Sequence, residues 1–394
     1  MKDILIIANF CRDFSKNDNG RFMYLCKALS NNNTVEIITS NFSHTTKSHK
    51  DSLVHEWPFK ITFINEPGYQ RNISLRRFYS HYIWGRNVLK YLKKRNKPDV
   101  IYCAIPSLTA PNLVSNYCKK NSIRFIIDIQ DLWPEAFKLA FNVPVLSEVI
   151  FAPFNHIANN SYKRADVICG VSNTYVTRAK KVNSSAKSIP VFLGTKLETF
   201  DYNAAQNRKM RCDNEIWLGY CGSLNASYDI TVVIKALNIL KKQGNVPPKF
   251  IVMGTGEKEL YFKEYAQRMN VDCLFTGKLP YDQMCGLLAS CDIAINPISH
   301  NAAQSIINKH GDYAAAGIPV INTQENKEYM DLVSDYNMGF NCNNSDPFDL
   351  AEKLMILISD KDLRIQMGNN ARKCAIDKFD RSHTYLSIIN AIME

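Results

Sequence analysis

The chain has 394 residues, of which 46% are hydrophobic and 22% charged, a globular usage that excludes a mainly disordered polymer. With 48 lysines and arginines against 37 acids, its formal net charge is +11, which favours anionic partners such as nucleotides, phosphates, acidic lipid or nucleic acid. No stretch approaches the roughly 18 uncharged apolar residues of a membrane span, and the 12 scattered cysteines without a C-x-x-C pair argue for reduced thiols in the cytoplasm rather than a disulfide framework or structural zinc.

The opening MKDILIIANF has only a short apolar run before Cys11 and Arg12, so it reads as a buried first strand and not a signal peptide. Strands are then expected at 4–8, 35–39, 100–104, 125–128, 167–171 and 190–193, with helices at 20–30, 73–94 and 112–121 between them. The pattern restarts with strands at 217–221, 249–253, 273–276, 293–297 and 319–322 and helices at 231–243, 257–268 and 281–289. Strands separated by helices imply parallel sheets covered on both faces. The polar stretch 199–214 lacks apolar periodicity and reads as a linker. The expected organisation is therefore an N-terminal domain over 1–198, the linker over 199–214, a C-terminal domain over 215–375 and a last helical segment over 376–394 that could pack back on the first domain. The fold class is α/β: two Rossmann-like, doubly wound domains facing across a cleft, with ligands at the C-terminal ends of the strands.

Five segments carry candidate chemistry. Residues 67–98 hold nine Lys/Arg and no acid, interleaved with Tyr69, Phe78, Tyr79, Tyr82, Trp84 and Tyr91. A basic amphipathic helix with aromatics suits an anionic membrane surface; a solvated basic face over a core stripe is the plain alternative. Nucleic acid fits by charge, but no nucleic-acid-binding motif is present and none is expected as a partner. The string Asp128-Ile129-Gln130-Asp131-Leu132-Trp133-Pro134-Glu135 places three acids and a tryptophan at a strand end, either as a site or as helix capping with a packed indole.

In the second half, Gly222-Ser223 follows a strand and precedes a helix, so its amides could meet a phosphate near a helix N-terminus, or simply make the turn. Met253-Gly254-Thr255-Gly256-Glu257 repeats the arrangement but lacks the third glycine of a dinucleotide fingerprint, which disfavours a hydride-transfer cofactor. In the stretch Asn308–Val320, Lys309 and Asp312 are three apart on one helix face, and Gly317 suits its C-terminal cap. A lysine suits phosphate and a carboxylate suits paired ribose hydroxyls; the alternative is a weak surface ion pair. No H-E-x-x-H, nucleophile elbow or P-loop occurs. The lone D-x-D, Asp360-Lys361-Asp362, reads as charge at a helix start, so no metal is expected.

Taken in order, these segments resemble glycosyltransferase family 4, the retaining GT-B enzymes, and most of all its bacterial surface-polysaccharide (O-antigen and capsule) branch. The likeness rests on Gly20-Arg21-Phe22, Lys97-Pro98-Asp99-Val100-Ile101, Asp131-Leu132-Trp133-Pro134-Glu135, Ala165-Asp166-Val167-Ile168, Tyr220-Cys221-Gly222-Ser223-Leu224, Gly254-Thr255-Gly256-Glu257 and Asn308–Val320. The resemblance implies that Gly222, Ser223, Gly254, Gly256, Glu257, Asn308, Lys309 and Asp312 bind the donor, with Asp312 as the second acid of the family's E-x(7)-E pattern. It implies that Gly20, Arg21, Gln130, Asp131 and Glu135 lie on the acceptor side, and that Asp131 and Lys309 act in catalysis. The chain departs from the family in three places. The first acid of the pattern falls at Gln304. The Arg/Lys pair usual after the first C-domain glycine turn is replaced by Asn225-Ala226-Ser227-Tyr228-Asp229. The histidine common near Gln130 is absent.

The implied activity is transfer of a sugar from a nucleotide-sugar donor to a glycan or polyprenyl-diphosphate-linked acceptor, with retention and with no cofactor or metal. The donor is expected to be UDP-linked, with N-acetylated hexosamines among the candidate sugars. A peripheral contact with an anionic membrane through 67–98 is expected with it. Two other readings stay open: a GT-B-fold epimerase of UDP-N-acetylhexosamines, and a non-catalytic nucleotide-sugar-binding protein.

Overall fold

A computed structural model describes residues 1–11, 14, 20–50, 56–136, 144–210, 215–300, 302 and 305–394. The chain divides into two units, Met1–Phe192 with Tyr385–Glu394, and Leu193–Thr384. Each is an α/β unit built on a parallel sheet.

The first unit carries a seven-stranded sheet in the order Lys60–Ile64, Thr34–Ser40, Asp3–Ile7, Val100–Ile105, Arg124–Ile129, Val167–Gly170, Lys187–Pro190. The central strands DILII, VIYCAI and RFIIDI are near-continuous apolar runs because helices cover both faces. Ile6 pairs with Ile37 on one side and Tyr102 on the other, all parallel. The strand order turns back at Asp3–Ile7, between Thr34–Ser40 and Val100–Ile105, which makes the ends of Asp3–Ile7 and Val100–Ile105 the switch point where such sheets take ligands. The C-terminal helix Leu386–Met393 buries Ile388 and Ile392 in the same core as Ile4, Ile6 and Phe22.

The second unit repeats the plan with six strands in the order Cys273–Gly277, Lys249–Met253, Trp217–Cys221, Ile293–Asn296, Val320–Asn322, Gly339–Asn341. Its switch point lies between Trp217–Cys221 and Ile293–Asn296. Among the described residues, no helix is long and apolar enough to cross a membrane.

Residues 199–214, read from the sequence as an irregular linker, open instead inside the helix Leu197–Asn207; residues 211–214 lie outside the described residues. Leu197 and Phe200 are buried in that helix, which packs on the helix Tyr281–Leu288. The contact is close because Gly286 has no side chain: a Cβ there would stand 2.2 Å from the Asn207 carbonyl oxygen. Gly286→Ala is therefore expected to cost about 1–3 kcal/mol by overpacking, read as a lower urea midpoint. A midpoint equal to the parent's would mean that the two helices do not pack as described.

Candidate functional site

In the second unit, the strand Trp217–Cys221 runs into Gly222, and the strand Lys249–Met253 into Gly254. The two turns are stitched to each other. The Gly222 amide donates to the Met253 carbonyl at 3.0 Å and the Leu224 amide to the Thr255 carbonyl at 2.9 Å. A Cβ on Gly254 would lie 1.7 Å from the Gly222 carbonyl oxygen, and one on Gly256 would lie 2.2 Å from that of Leu224. Gly254 and Gly256 are thus demanded by backbone-on-backbone packing alone. Ser223 and Glu257 are exposed beside them. The helix Ile230–Lys242 that follows is already capped: the Asp229 carboxylate accepts from the Val232 amide at 3.2 Å. Of the helix starts expected to steady a phosphate, this one is occupied by an acid of the chain itself.

The helix Asn308–Ala315 enters the same strand ends, with Asn308 exposed and the rest of the helix buried. Tyr313 fixes it to the sheet, accepting from the Cys221 amide at 3.1 Å and donating to the Ile295 carbonyl at 3.0 Å. His310 fixes its start: Nδ1 accepts from the Ile307 amide at 3.1 Å, and the ring stacks on Tyr329 at 3.7 Å. Lys309 follows from these anchors. Its ammonium sits 3.7 Å from the Tyr228 ring centre and 4.5 Å from that of Tyr220. It lies against Gly222, at 3.2 Å from where a Cβ would stand. Lys309 is only 7% exposed, and Nζ has no hydrogen-bond partner among the described residues. Burial pulls its pKa from 10.5 down to about 7. The surface ion pair considered for Lys309 and Asp312 is therefore not what forms. Asp312 instead accepts from the Tyr281 hydroxyl at 2.9 Å, and that hydroxyl meets Thr195 Oγ1 at 2.9 Å.

The structure thus brings Gly222, Lys309 and the two glycine turns together and holds Asp312 one helical turn deeper. Sequence reasoning missed Tyr220, Tyr228 and Tyr281, since no spacing rule marks an aromatic as a cation's wall. It also missed a buried amide ladder in which Asn296 Nδ2 donates to Asn322 Oδ1 at 2.8 Å and Gln324 Nε2 to the Ser305 carbonyl at 3.1 Å. Gln304 lies outside the described residues.

In the first unit, Gly20 starts the helix Arg21–Ser30. Arg21, expected on the acceptor side, is buried with all five N–H donors used. Nε and one terminal nitrogen grip Asp128 at 3.0 and 2.9 Å, and the rest reach the Val191 carbonyl, Tyr102 and Tyr385. It can offer nothing to a ligand; it holds Asp128, which also accepts from Gln130 Nε2 at 2.9 Å. Glu135 pairs with Arg178. Asp131 accepts from the Trp133 indole at 3.0 Å, and burial pushes its pKa up. Trp133 stacks on His81, and the Arg77 guanidinium lies 4.5 Å from its ring centre. Arg77 and His81 come from the helix Leu75–Leu92, so the basic stretch 67–98 is not uniformly solvated. Arg77 turns inward, and Arg95 pairs with Asp3 and Glu36.

Two doubly wound parallel sheets of this kind define a GT-B arrangement of Rossmann-like units. Residues 203–374 match the sequence model of the family Glycosyl transferases group 1. No curated protein matches the chain. Among solved structures it is similar to Anabaena HepE in complex with UDP, at 14% identity and TM-score 0.71 over 100% of both chains. It is also similar to sucrose-phosphate synthase from Thermosynechococcus elongatus, at 14% identity and TM-score 0.76 over 99% of this chain and 98% of that one. A third is WaaG, a glycosyltransferase involved in lipopolysaccharide biosynthesis, at 15% identity and TM-score 0.67 over 98% of each chain. At these identities the likeness is one of fold.

A buried ammonium without a partner costs stability, and the cost has a pH signature. The unfolded lysine titrates near 10.5 and the folded one near 7, so the unfolded state holds more protons in between and the penalty is full below about pH 7, fading as pH rises toward 10.5. Lys309→Met should accordingly raise stability by on the order of 1–3 kcal/mol near neutral pH, and the gain should shrink in alkaline buffer. Chemical denaturation at two pH values checks this. A loss of stability at neutral pH would show that Lys309 is a structural cation.

Proposed function

We propose that the chain is a retaining glycosyltransferase of family 4. It moves a sugar from a UDP-linked donor, an N-acetylated hexosamine among the candidates, to a glycan or polyprenyl-diphosphate-linked acceptor in bacterial surface-polysaccharide synthesis. The observation that carries this reading is Lys309: a nine-tenths buried cation, without a hydrogen-bond partner, held against the Gly222 turn at a strand-end switch point. That is the chemistry a diphosphate leaving group requires. As the glycosidic bond to the donor breaks, negative charge grows on the terminal phosphate. The Gly222-Ser223 turn and Lys309, in its protonated form, receive it. Asp312, held by the Tyr281 hydroxyl, is the acid that meets the ribose hydroxyls. The acceptor hydroxyl attacks the face the leaving group departs from, and its proton passes to the departing phosphate. Asp131 suits an acceptor-orienting role because burial raises its pKa and the Trp133 indole fixes it. The WaaG and HepE likenesses support a UDP-sugar donor and an envelope acceptor.

Lys309→Ala and Asp312→Ala should each weaken UDP-sugar binding by roughly tenfold or more, measured by calorimetry. Binding and transfer left intact in both variants would remove the assignment. Asp131→Asn should lower kcat about 100-fold with donor affinity unchanged; product formed without any acceptor would favour the epimerase instead. UDP affinity should fall as pH rises above about 7, because binding must then bring a proton to Lys309, and Lys309→Met should flatten that slope.

A further inference from the structure

Within the first unit a cavity of about 320 Å³ opens between the helices Leu75–Leu92 and Pro144–Lys163. That is the small end of the range of ligand pockets, roughly 300–1,000 Å³. Its walls are Phe78, Tyr79 and Tyr82 from one helix and Phe154 and Ile157 from the other, with Trp133 among the residues that complete it. Phe78 and Phe154 meet at 5.1 Å between ring centres. A sugar needs donors and acceptors along its length, and this lining offers it very few: His81, with both ring nitrogens unpartnered, is its main polar member.

Polarity returns at Trp133. The same indole donates to Asp131 and carries the Arg77 guanidinium on its face. The cavity therefore leads from an apolar mouth to the acid and cation at the strand ends. Of the lining residues, Tyr79 and Tyr82 are about half exposed; Leu75, one turn before Tyr79 on the same helix, is 88% exposed, and Val149 and Ile150 are exposed on the helix Pro144–Lys163. Spacings of three and four continue that stripe from Leu75, Tyr79 and Tyr82 into Arg86, Lys90 and Lys93, all exposed. One helix face thus passes from apolar to cationic along its length, the complement of a hydrocarbon surface bordered by anionic headgroups.

We infer that this cavity holds the leading part of the hydrocarbon chain of a phosphate-bearing, lipid-linked acceptor, placing its polar end beside Arg77 and Asp131. Resting on the transferase reading above, this makes the acceptor a membrane-borne lipid rather than a free glycan. Bulk bilayer lipid covers the outer stripe; only a chain drawn out of the bilayer fills the concavity behind it.

The test is calorimetric titration of the full chain with farnesyl diphosphate, dimethylallyl diphosphate and inorganic pyrophosphate. Farnesyl diphosphate should bind at least about tenfold tighter than either of the others, because only its chain is long enough to fill the cavity. Ile157→Asp and the milder rim variant Tyr82→Ala should each erase most of that preference while pyrophosphate still binds with the parent's affinity and the far-UV circular dichroism and urea midpoint stay at the parent's values, which shows that the first unit is folded. Equal affinity for pyrophosphate and farnesyl diphosphate, a preference untouched by both variants, or displacement of farnesyl diphosphate by phosphatidylglycerol vesicles would each overturn the inference. Loss of UDP binding in the parent chain, with farnesyl diphosphate still bound, would instead sink the donor assignment and leave the chain pocket standing.

Discussion

An ammonium group shut away from water has to be held there by something stronger than its own tendency to leave, and in the second unit that something is the anchoring of one short helix. Lys309 has a long, flexible stem and would ordinarily snorkel to solvent. It does not, because the helix Asn308–Ala315 is tied on three sides. Tyr313 bridges Cys221 and Ile295, His310 closes the helix start and stacks on Tyr329, and Gly311 lies 3.3 Å from Phe379 as judged by an added Cβ. The rings of Tyr220 and Tyr228 give the cation a partial counter-charge through their faces. They do not give it a hydrogen bond. The result is preorganised: charge and geometry are in place before an anion arrives, and no side chain must be reoriented when it does.

Two of the buried cations among the described residues show why completeness of pairing is the useful criterion. Arg21 and Lys309 are about equally buried. Burial pulls the Arg21 pKa down, but Asp128 with Tyr102 and Tyr385 overrides it, so the group ends well above its ordinary value. Lys309 has no such opponent and ends near 7. A cation whose every donor is used specifies structure, since removing one member of a buried pair leaves the other uncompensated. A cation with none used is kept for something absent from the chain. By this measure Arg21 fixes the position of Asp128, which accepts from Gln130, and Lys309 fits the donor-binding role proposed for it.

Much of the architecture was legible because it follows from periodicity. Apolar runs such as DILII and VIYCAI can only be strands buried on both faces, and the restart at Trp217 announced a second sheet. The edge strands Lys60–Ile64 and Gly339–Asn341 escaped because one is half-buried and the other has three residues. The expected strand at 190–193 lies instead at Lys187–Pro190, where polar side chains on an edge masked it. In the site, Lys309 and Asp312 could be picked out by their spacing on a helix, but their separate fates could not. That Asp312 would meet Tyr281 and Lys309 would meet Tyr220 and Tyr228 depends on pairings 31, 89 and 81 residues apart, which no local rule encodes. The glycines posed the reverse problem: Gly254 and Gly256 look like phosphate loops in sequence, yet the packing of one turn on another already requires them.

Four titrating groups of the first unit are shifted by burial in a common sense. Burial pulls His44 down to about 4 and His81 down to about 3, lowers Arg77 and raises Asp131. Each is pushed toward its uncharged form, the signature of a dry environment rather than of one dominant neighbour. Both imidazoles are therefore neutral at physiological pH. Burial favours the uncharged form of Asp131 relative to an aspartate in water. On the proposed reading, stabilisation of developing negative charge falls to the second unit, where Lys309 is buried with no hydrogen-bond partner among the described residues. The buried strand-end groups of the first unit, pushed toward their uncharged forms, then suit an amphiphilic acceptor.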